Sequence, residues 1–444
     1  MGDIITADDA QYASDIVRAI CTEVGPGLPG SPQERERAAM LRKELESHLG
    51  AGNVTFEEFA VATWAGLGAM RLSALLLLLA ALLNLSIGHL GVPTWLTTTA
   101  ALVFSILAPL PFTLQNIFGL ELLDPFFKKR PSVNVIGTLR KPGTGNAKRL
   151  LMLSGHHDSA AEITWLRLLG DVKRHFMRSG PQASTSGKGW LGFLDYGYYV
   201  LTGTLVIGFL TMLAMSIVQL TGVITDDAGT IRLGTLGWTL LAYPLVPAVL
   251  FAVLIGIERQ DGGTVPGAVD NLSGSALAVA LCRFLVKNPA CIPPDTEIRF
   301  VSFGSEEAGL RGSRRYVERH LGELKGLDAR LLNFEMVAHA EIPIYTSDVN
   351  GTVKNSPEMV QSAAAAAVRA GVPHKIRSAS LGVATDAGPF SRAGLKATTL
   401  IPFKVPQQQI AFYHQKWDGP EVLTIEPLLN VLKLALEWVR HGGE

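Results

Sequence analysis

Between Leu72 and Leu120 the chain carries no Asp, Glu, Lys or Arg, and His89 is the one ionisable side chain in those 49 residues. A stretch of that length is about enough for two bilayer crossings of ~20 residues each, and it exceeds ordinary core helices. Gly88-His89-Leu90-Gly91-Val92-Pro93 is the natural turn between them. A second apolar block runs from Tyr196 to Thr225, is broken by Asp226, Asp227 and Arg232, and resumes from Leu233 to Ile257. The expectation is therefore about four transmembrane helices arranged as two hairpins, over 66–118 and 195–258.

Each hairpin crosses and returns, so the polar segments 1–65, 119–194 and 259–444 lie on one side of the bilayer and can fold together as one domain. Lys128, Lys129, Arg130, Lys188 and Arg259 flank the spans on that side, whereas the short opposite turns hold only Arg232. By the positive-inside bias the polar domain is expected in the cytoplasm of a multi-pass membrane protein. The first twenty residues have no basic region followed by an apolar core, so no cleavable signal peptide is expected. Lys and Arg balance Asp and Glu at 39 each, which argues against a nucleic-acid partner. Cys21, Cys282 and Cys291 show neither CxxC nor CxH spacing, which excludes a thiolate zinc site of the usual pattern.

In the polar segments, strand-like and helical patterns alternate. Val54–Val61, Val133–Leu139, Arg149–Ser154, Glu297–Phe303 and Arg330–Phe334 read as strands. Ala7–Thr22, Pro32–Leu49, Asn271–Val286, Gly312–His320, Pro357–Arg369 and Ile425–Arg440 read as helices, the second with Ser31 as N-cap and Pro32 at its first position. This order predicts an α/β domain with a mainly parallel mixed sheet flanked by helices, whose ligands gather beyond the carboxyl ends of the strands. The basic stretch Arg167, Lys173, Arg174 and Arg178 reads as a solvated helix face, and Ser179–Gly189 is Gly/Ser-rich.

Chemistry begins where these strands stop. After Arg149–Ser154 comes Gly155-His156-His157-Asp158, in which His156 and Asp158 share one side of an extended strand end and His157 takes the other. A metal-bound imidazole usually donates its second N–H to a carboxylate, which makes His156 the ligand and Asp158 its orienting partner. Gly267-Ala268-Val269-Asp270-Asn271-Leu272-Ser273-Gly274 opens a helix through a small-residue turn that aims Asp270 at a cation. Of adjacent Glu306 and Glu307, one can coordinate while the other takes a proton from water. Glu335 and His414 add a carboxylate and an imidazole. Each piece alone has a bland explanation: an Asp helix cap, a surface acidic pair, a structural histidine. Together they form an oxygen and nitrogen donor set without sulfur, suited to zinc or a related divalent ion, and they favour hydrolysis.

The order HxD, GAxDNxSG, a strand ending in EE, then NFE and YH resembles the M28 family of co-catalytic zinc aminopeptidases. The resemblance covers the polar portion from about Gly25 to the C-terminus. It implies two zinc ions, with His156 and Glu335 on one, Glu307 and His414 on the other, and Asp270 bridging. It further implies a peptide substrate hydrolysed by a metal-bridging hydroxide, Glu306 as general base, and Asp158 holding His156. Glu335 stands where the family usually has Asp, and Ala387 follows Asp386 where a His is common. The hairpins are similar to those of membrane-embedded relatives. Competing readings are a glutaminyl-cyclase-like acyltransferase with one zinc, an M20-type amidohydrolase, and a non-catalytic or transport protein with a peptidase-like domain. The complete double ligand set and the absence of intramembrane Asp, Glu, Lys and Arg weigh towards a membrane-anchored exopeptidase. Residue preference and oligomeric state are unknown from sequence.

Overall fold

The computed structural model describes residues 4–85, 91–141, 147–178, 197–220, 245–246, 248–250, 252–254, 256, 265–380, 382–405 and 407–444. They divide into two compact units, one of 1–63, 128–162 and 260–444, the other of 64–127 and 163–259. In chain order the main elements are α1 (Ala7–Glu23), α2 (Pro32–Leu49), β1 (Val54–Val61), α3 (Ala65–Leu85), α4 (Thr94–Leu107), β2 (Arg130–Arg140) and β3 (Arg149–His156). There follow α5 (Thr164–Arg178), α6 (Gly197–Leu220), α7 (Ser273–Lys287), β4 (Thr296–Phe303), α8 (Arg311–Gly326), β5 (Asp328–Phe334) and β6 (Ile342–Tyr345). The last are α9 (Pro357–Ala370), β7 (His374–Arg377), α10 (Ala387–Arg392), β8 (Lys396–Leu400) and α11 (Ile425–Arg440).

The polar unit is built on an eight-stranded mixed sheet in the order β1-β2-β4-β3-β5-β8-β6-β7. Its centre is parallel: β3 runs beside β4 and β5, and β5 beside β8. β1 and β2 pair antiparallel at one side, β2 runs antiparallel to β4, and β8 meets β6 antiparallel at the other side. Parallel central strands must be covered on both faces, and the side chains of β4 are buried throughout. One face packs Leu151, Leu153, Ile298, Phe300 and Leu332 against α1, α2, α7, α9 and α11. The opposite face packs Leu150, Met152, Val301 and Leu331 against Tyr316 and Val317 of α8 and Phe390 of α10. Fully burying a large apolar side chain is worth roughly 1.5–3 kcal/mol, so these two layers fix the sheet and the ends of its strands.

Local signals set the boundaries. The Ser31 hydroxyl accepts from the Glu34 N–H at 3.1 Å with Pro32 in the first turn of α2, and α9 begins alike, with Ser356 accepting from Met359 N–H ahead of Pro357. β6, β7, β8 and α10 are additional to the elements expected from sequence.

The apolar unit is organised the other way round. Leu75 and Leu82 of α3, Ile106 of α4, and Ile207 and Leu210 of α6 are exposed, while Ala80, Ala81 and Ala108 are buried among them. Polar contacts lie inside: Asn84 Nδ2 donates to Ser216 Oγ at 3.1 Å, and the Ser105 and Ser216 hydroxyls stand 3.0 Å apart. Small residues and hydrogen bonds thus lie within this unit and large aliphatics outside it.

Three segments, Ala65–Leu85, Trp95–Ile117 and Ala268–Lys287, have the length and composition to cross a membrane. The third is 89% buried and forms part of the polar unit's core, so it is a core helix. α6 is also apolar along its 24 residues. Of the about four spans expected, α3 and Trp95–Ile117 have the required length and composition among the described residues, and α6 contributes a shorter apolar helix over Val206–Leu220. The rest of the fourth run, the turn around 86–90, the Gly/Ser-rich stretch 179–189 and the turn at 221–232 lie largely outside the described residues. Residues 119–127 and α5, which sequence patterning grouped with the polar segments, belong to the apolar unit. Leu120, Leu122, Leu123, Phe126 and Phe127 give the first of these an apolar character, and Leu166 of α5 is fully buried.

Candidate metal centre

The carboxyl ends of β3, β4 and β5 bring together residues far apart in sequence. His156 is the last residue of β3, Glu306 and Glu307 follow β4, and Glu335 follows β5. Asp270 comes from the turn before α7, and His414 from the loop before α11. The approach is close because small residues line it: a Cβ on Gly155 would lie 2.5 Å from the Gly274 carbonyl carbon, and one on Gly274 would lie 2.7 Å from Asn271 Oδ1. Glycine at both positions lets the turn carrying Asp270 lie against the end of β3.

His156 Nε2 stands 3.3 Å from Asp270 Oδ1, 3.4 Å from Glu335 Oε1 and 3.7 Å from Glu306 Oε2. The other oxygen of Asp270, Oδ2, lies 3.2 Å from His414 Nε2, which is 3.3 Å from Glu307 Oε1. The residues form two triads, His156–Asp270–Glu335 and Asp270–Glu307–His414, that share Asp270, and a third grouping, His156–Glu306–Glu307, overlaps both. Donors on a tetrahedral zinc ion at about 2.0–2.1 Å stand about 3.3–3.4 Å from one another, and the histidine-to-carboxylate spacings of 3.2–3.4 Å in both triads are close to that. His156 Nε2 is buried without a hydrogen-bond partner among the described residues, as a nitrogen reserved for an ion would be. The donor set fits divalent cation binding.

The electrostatics agree. Burial pushes the Glu335 carboxyl up to about 8 and raises Glu306 well above the ordinary range, helped in Glu306 by the charges of Glu307 and Glu335. Burial would depress the imidazoles, yet Glu335 and Glu306 hold His156 well above its usual value, and Glu307 with Asp270 holds His414 near 10. Carboxylates that resist ionising beside imidazoles that retain protons mark a pocket with excess negative charge, which cations would relieve.

Two carboxylates hold the donors in place. Asp158 Oδ1 lies 3.3 Å from His156 Nδ1, and its two oxygens accept the Glu306 N–H at 3.1 Å and the Glu307 N–H at 3.0 Å. It thus fixes both the imidazole and the turn bearing the acidic pair. His157 points away, with Nδ1 2.8 Å from Ser302 Oγ. Asp418, absent from the sequence reading, accepts the Val269 N–H at 2.8 Å and the Asp270 N–H at 3.1 Å through its two oxygens. Its partners are main-chain groups remote in sequence, so no local motif announces it. Glu34 is likewise new: buried in the first turn of α2, it accepts from the Ser305 N–H at 2.7 Å and from the Ser305 and Ser132 hydroxyls. Asp386, set aside as a ligand by sequence, is buried at the start of α10, where burial pushes it up to about 7.

Backbone strain gathers at the same place. Ser305 (φ 52°), Met336 (φ 46°) and His414 (φ 50°) are non-glycine residues in the left-handed region, each bearing or adjoining a side chain of the centre. Such conformations cost on the order of 1 kcal/mol or more and persist where the surroundings impose them.

Comparison with known proteins follows this geometry. Residues 256–439 match the model of peptidase family M28. Aminopeptidase YwaD of Bacillus subtilis is 31% identical over 176 residues, covering 39% of this chain and 34% of the relative. Leupeptin-inactivating enzyme 1 of Streptomyces exfoliatus is 29% identical over 168 residues, covering 38% and 36%. The matched segment thus spans about a third of the length of these relatives. A zinc aminopeptidase structure from Bacillus subtilis superposes with a TM-score of 0.51 at 16% identity, covering 97% of this chain and 95% of that one. A glutaminyl cyclase from an Acidobacteriales bacterium superposes at 0.52 with 13% identity, covering 100% and 96%. The fold is common to both, and residues 256–439 are similar in sequence to peptidase family M28.

Proposed function

We propose that this protein is a membrane-anchored, zinc-dependent exopeptidase, an aminopeptidase, that hydrolyses peptide bonds. The observation that carries the reading is the pair of triads sharing Asp270, with the carboxyl of Glu306 beside them, 3.7 Å from His156. In this assignment His156 and Glu335 would hold one zinc, Glu307 and His414 the other, with Asp270 available to both. Zinc ions held here would supply Lewis-acid polarisation of the scissile carbonyl and lower the pKa of a water molecule. Glu306 takes the proton from the attacking water and returns it to the leaving amine, a role suited to a carboxyl whose proton affinity is raised. Asp158 keeps His156 and the Glu306–Glu307 turn in register for this transfer. The shared bridging carboxylate favours a two-ion hydrolase over a one-zinc acyltransferase.

We assign the polar unit, 1–63, 128–162 and 260–444, as the peptidase domain, with its basic flanks favouring the cytoplasmic side. The apolar unit is read as the anchor. The test is cleavage of a mixed peptide library, free and N-acetylated, by detergent-purified protein with zinc, for wild type and Glu306→Gln. Stepwise loss of N-terminal residues from free peptides alone, abolished in the variant, is expected. Folded, zinc-loaded protein that leaves every peptide intact would refute the reading.

A further inference from the structure

The basic stretch after the sheet's third strand serves no part of the chemistry above, and its setting identifies a different partner. In α5, Leu166 and Gly170 are buried, so that side of the helix packs inward. Leu168 is 49% exposed and Val172 is 42% exposed, one turn apart, and Trp165 lies three residues before Leu168 on the same stripe. Arg167 and Arg174, two turns apart, occupy another face, where Asp171 pairs with both at 3.2 Å and 3.0 Å. Over Thr164–Arg178 the sequence has four strong bases, Arg167, Lys173, Arg174 and Arg178, and one acid, Asp171.

A helix in water would turn those aliphatic side chains inward, and a core helix would bury them all round. An apolar stripe left exposed beside a basic face, with Trp on the stripe, is the pattern of a helix lying in the plane of a bilayer surface. The same unit exposes Leu75, Leu82, Ile106 and Leu210 on its candidate spans, so α5 shares its unit with helices suited to lipid. The excess of bases complements an anionic surface.

We propose that α5 is an interfacial helix that docks on anionic lipid, immersing Trp165, Leu168 and Val172 at the headgroup and acyl boundary while Arg167, Lys173 and Arg174 meet lipid phosphates. The inference rests on the membrane anchoring proposed above, and the experiment separates the two. The full chain is reconstituted in phosphatidylcholine vesicles, with and without phosphatidylglycerol, that contain lipid brominated near the headgroup. Tryptophan quenching is compared among wild type, Trp165→Phe and Trp95→Phe. Trp95 is exposed in the first turn of α4 and reports on the spans. Both substitutions are expected to remove part of the quenching, with the Trp165 part larger when phosphatidylglycerol is present and insensitive to it in the pair Lys173→Glu with Arg174→Glu. Quenching lost in Trp95→Phe but unchanged in Trp165→Phe would overturn the interfacial helix and leave the anchor intact. Loss in neither would overturn both. A Trp165 component indifferent to phosphatidylglycerol in wild type would overturn the anionic preference.

Discussion

Asp158 and Asp418 each spend two oxygens on main-chain N–H groups beside the metal centre, and the consequence of altering them follows from hydrogen-bond arithmetic. Asp418→Asn would replace an acceptor oxygen with a donor facing an N–H, loosening the turn that aims Asp270 at both imidazoles. Changes to groups that orient ligands typically weaken metal binding about 10–100-fold, and we expect that loss here in competition with a chromophoric chelator. An unchanged affinity would show that Asp418 merely fills space. On the proposed role of Glu306 as proton carrier, Glu306→Gln is expected to lower turnover by about 10²–10⁴-fold while leaving zinc content at the wild-type value, although Glu306 also belongs to the ligand-capable group His156–Glu306–Glu307. Simultaneous loss of zinc would instead make it a ligand. The structure brings His156, Asp158, Asp270, the acidic pair, Glu335 and His414 together; most of them end a recognisable strand or open a patterned turn, whereas His414 was reached through the resemblance. Asp418 and Glu34 were not legible in the sequence, because they act on backbone groups that only the fold brings near.

At the scale of elements, the packing of the turn carrying Asp270 against the end of β3 depends on side-chain absence. A Cβ on Gly274 would meet Asn271 Oδ1 at 2.7 Å as well as the Phe334 carbonyl oxygen, both fixed by the hydrogen bond from Asn271 Nδ2 to Phe334 O at 2.8 Å. Gly274→Ala is therefore expected to destabilise the domain by about 1–3 kcal/mol, read as a lower midpoint in chemical or thermal unfolding. Ser31→Ala removes the cap of α2 and is expected to cost about 1 kcal/mol by the same measurement. The strands and helices with clean periodicity or capping, such as Val54–Val61, Pro32–Leu49 and Ile425–Arg440, have in the fold the bounds their patterns predict. β6, β7 and β8 escaped because Ile342–Tyr345 and His374–Arg377 have four residues each and Lys396–Leu400 five. Runs that short, one with an internal Pro and one with basic ends, owe their extended form to sheet neighbours instead of local preference.

Across the whole molecule, the proposed anchor has the chain alternate between two solvents. One unit buries Leu and exposes charge; the other exposes Leu and keeps Asn84, Ser105 and Ser216 among its own helices. This inversion predicts that the protein stays with the membrane fraction through alkaline carbonate washing and leaves it only in detergent. Release by carbonate would refute the anchor. The interruptions also explain why the peptidase motifs are unusually far apart in sequence: His156 and Asp270 face each other at 3.3 Å across a gap that contains the second apolar block. The two triads sharing Asp270 make the sharpest demand on the whole account. The most direct measurement is metal per chain by mass spectrometry in detergent-purified protein, with peptidase activity followed as zinc is stripped by chelator and restored by equivalents. The account predicts two zinc ions per chain and activity that returns with metal. A single tightly held ion with full activity, or activity untouched after both are removed, would contradict it.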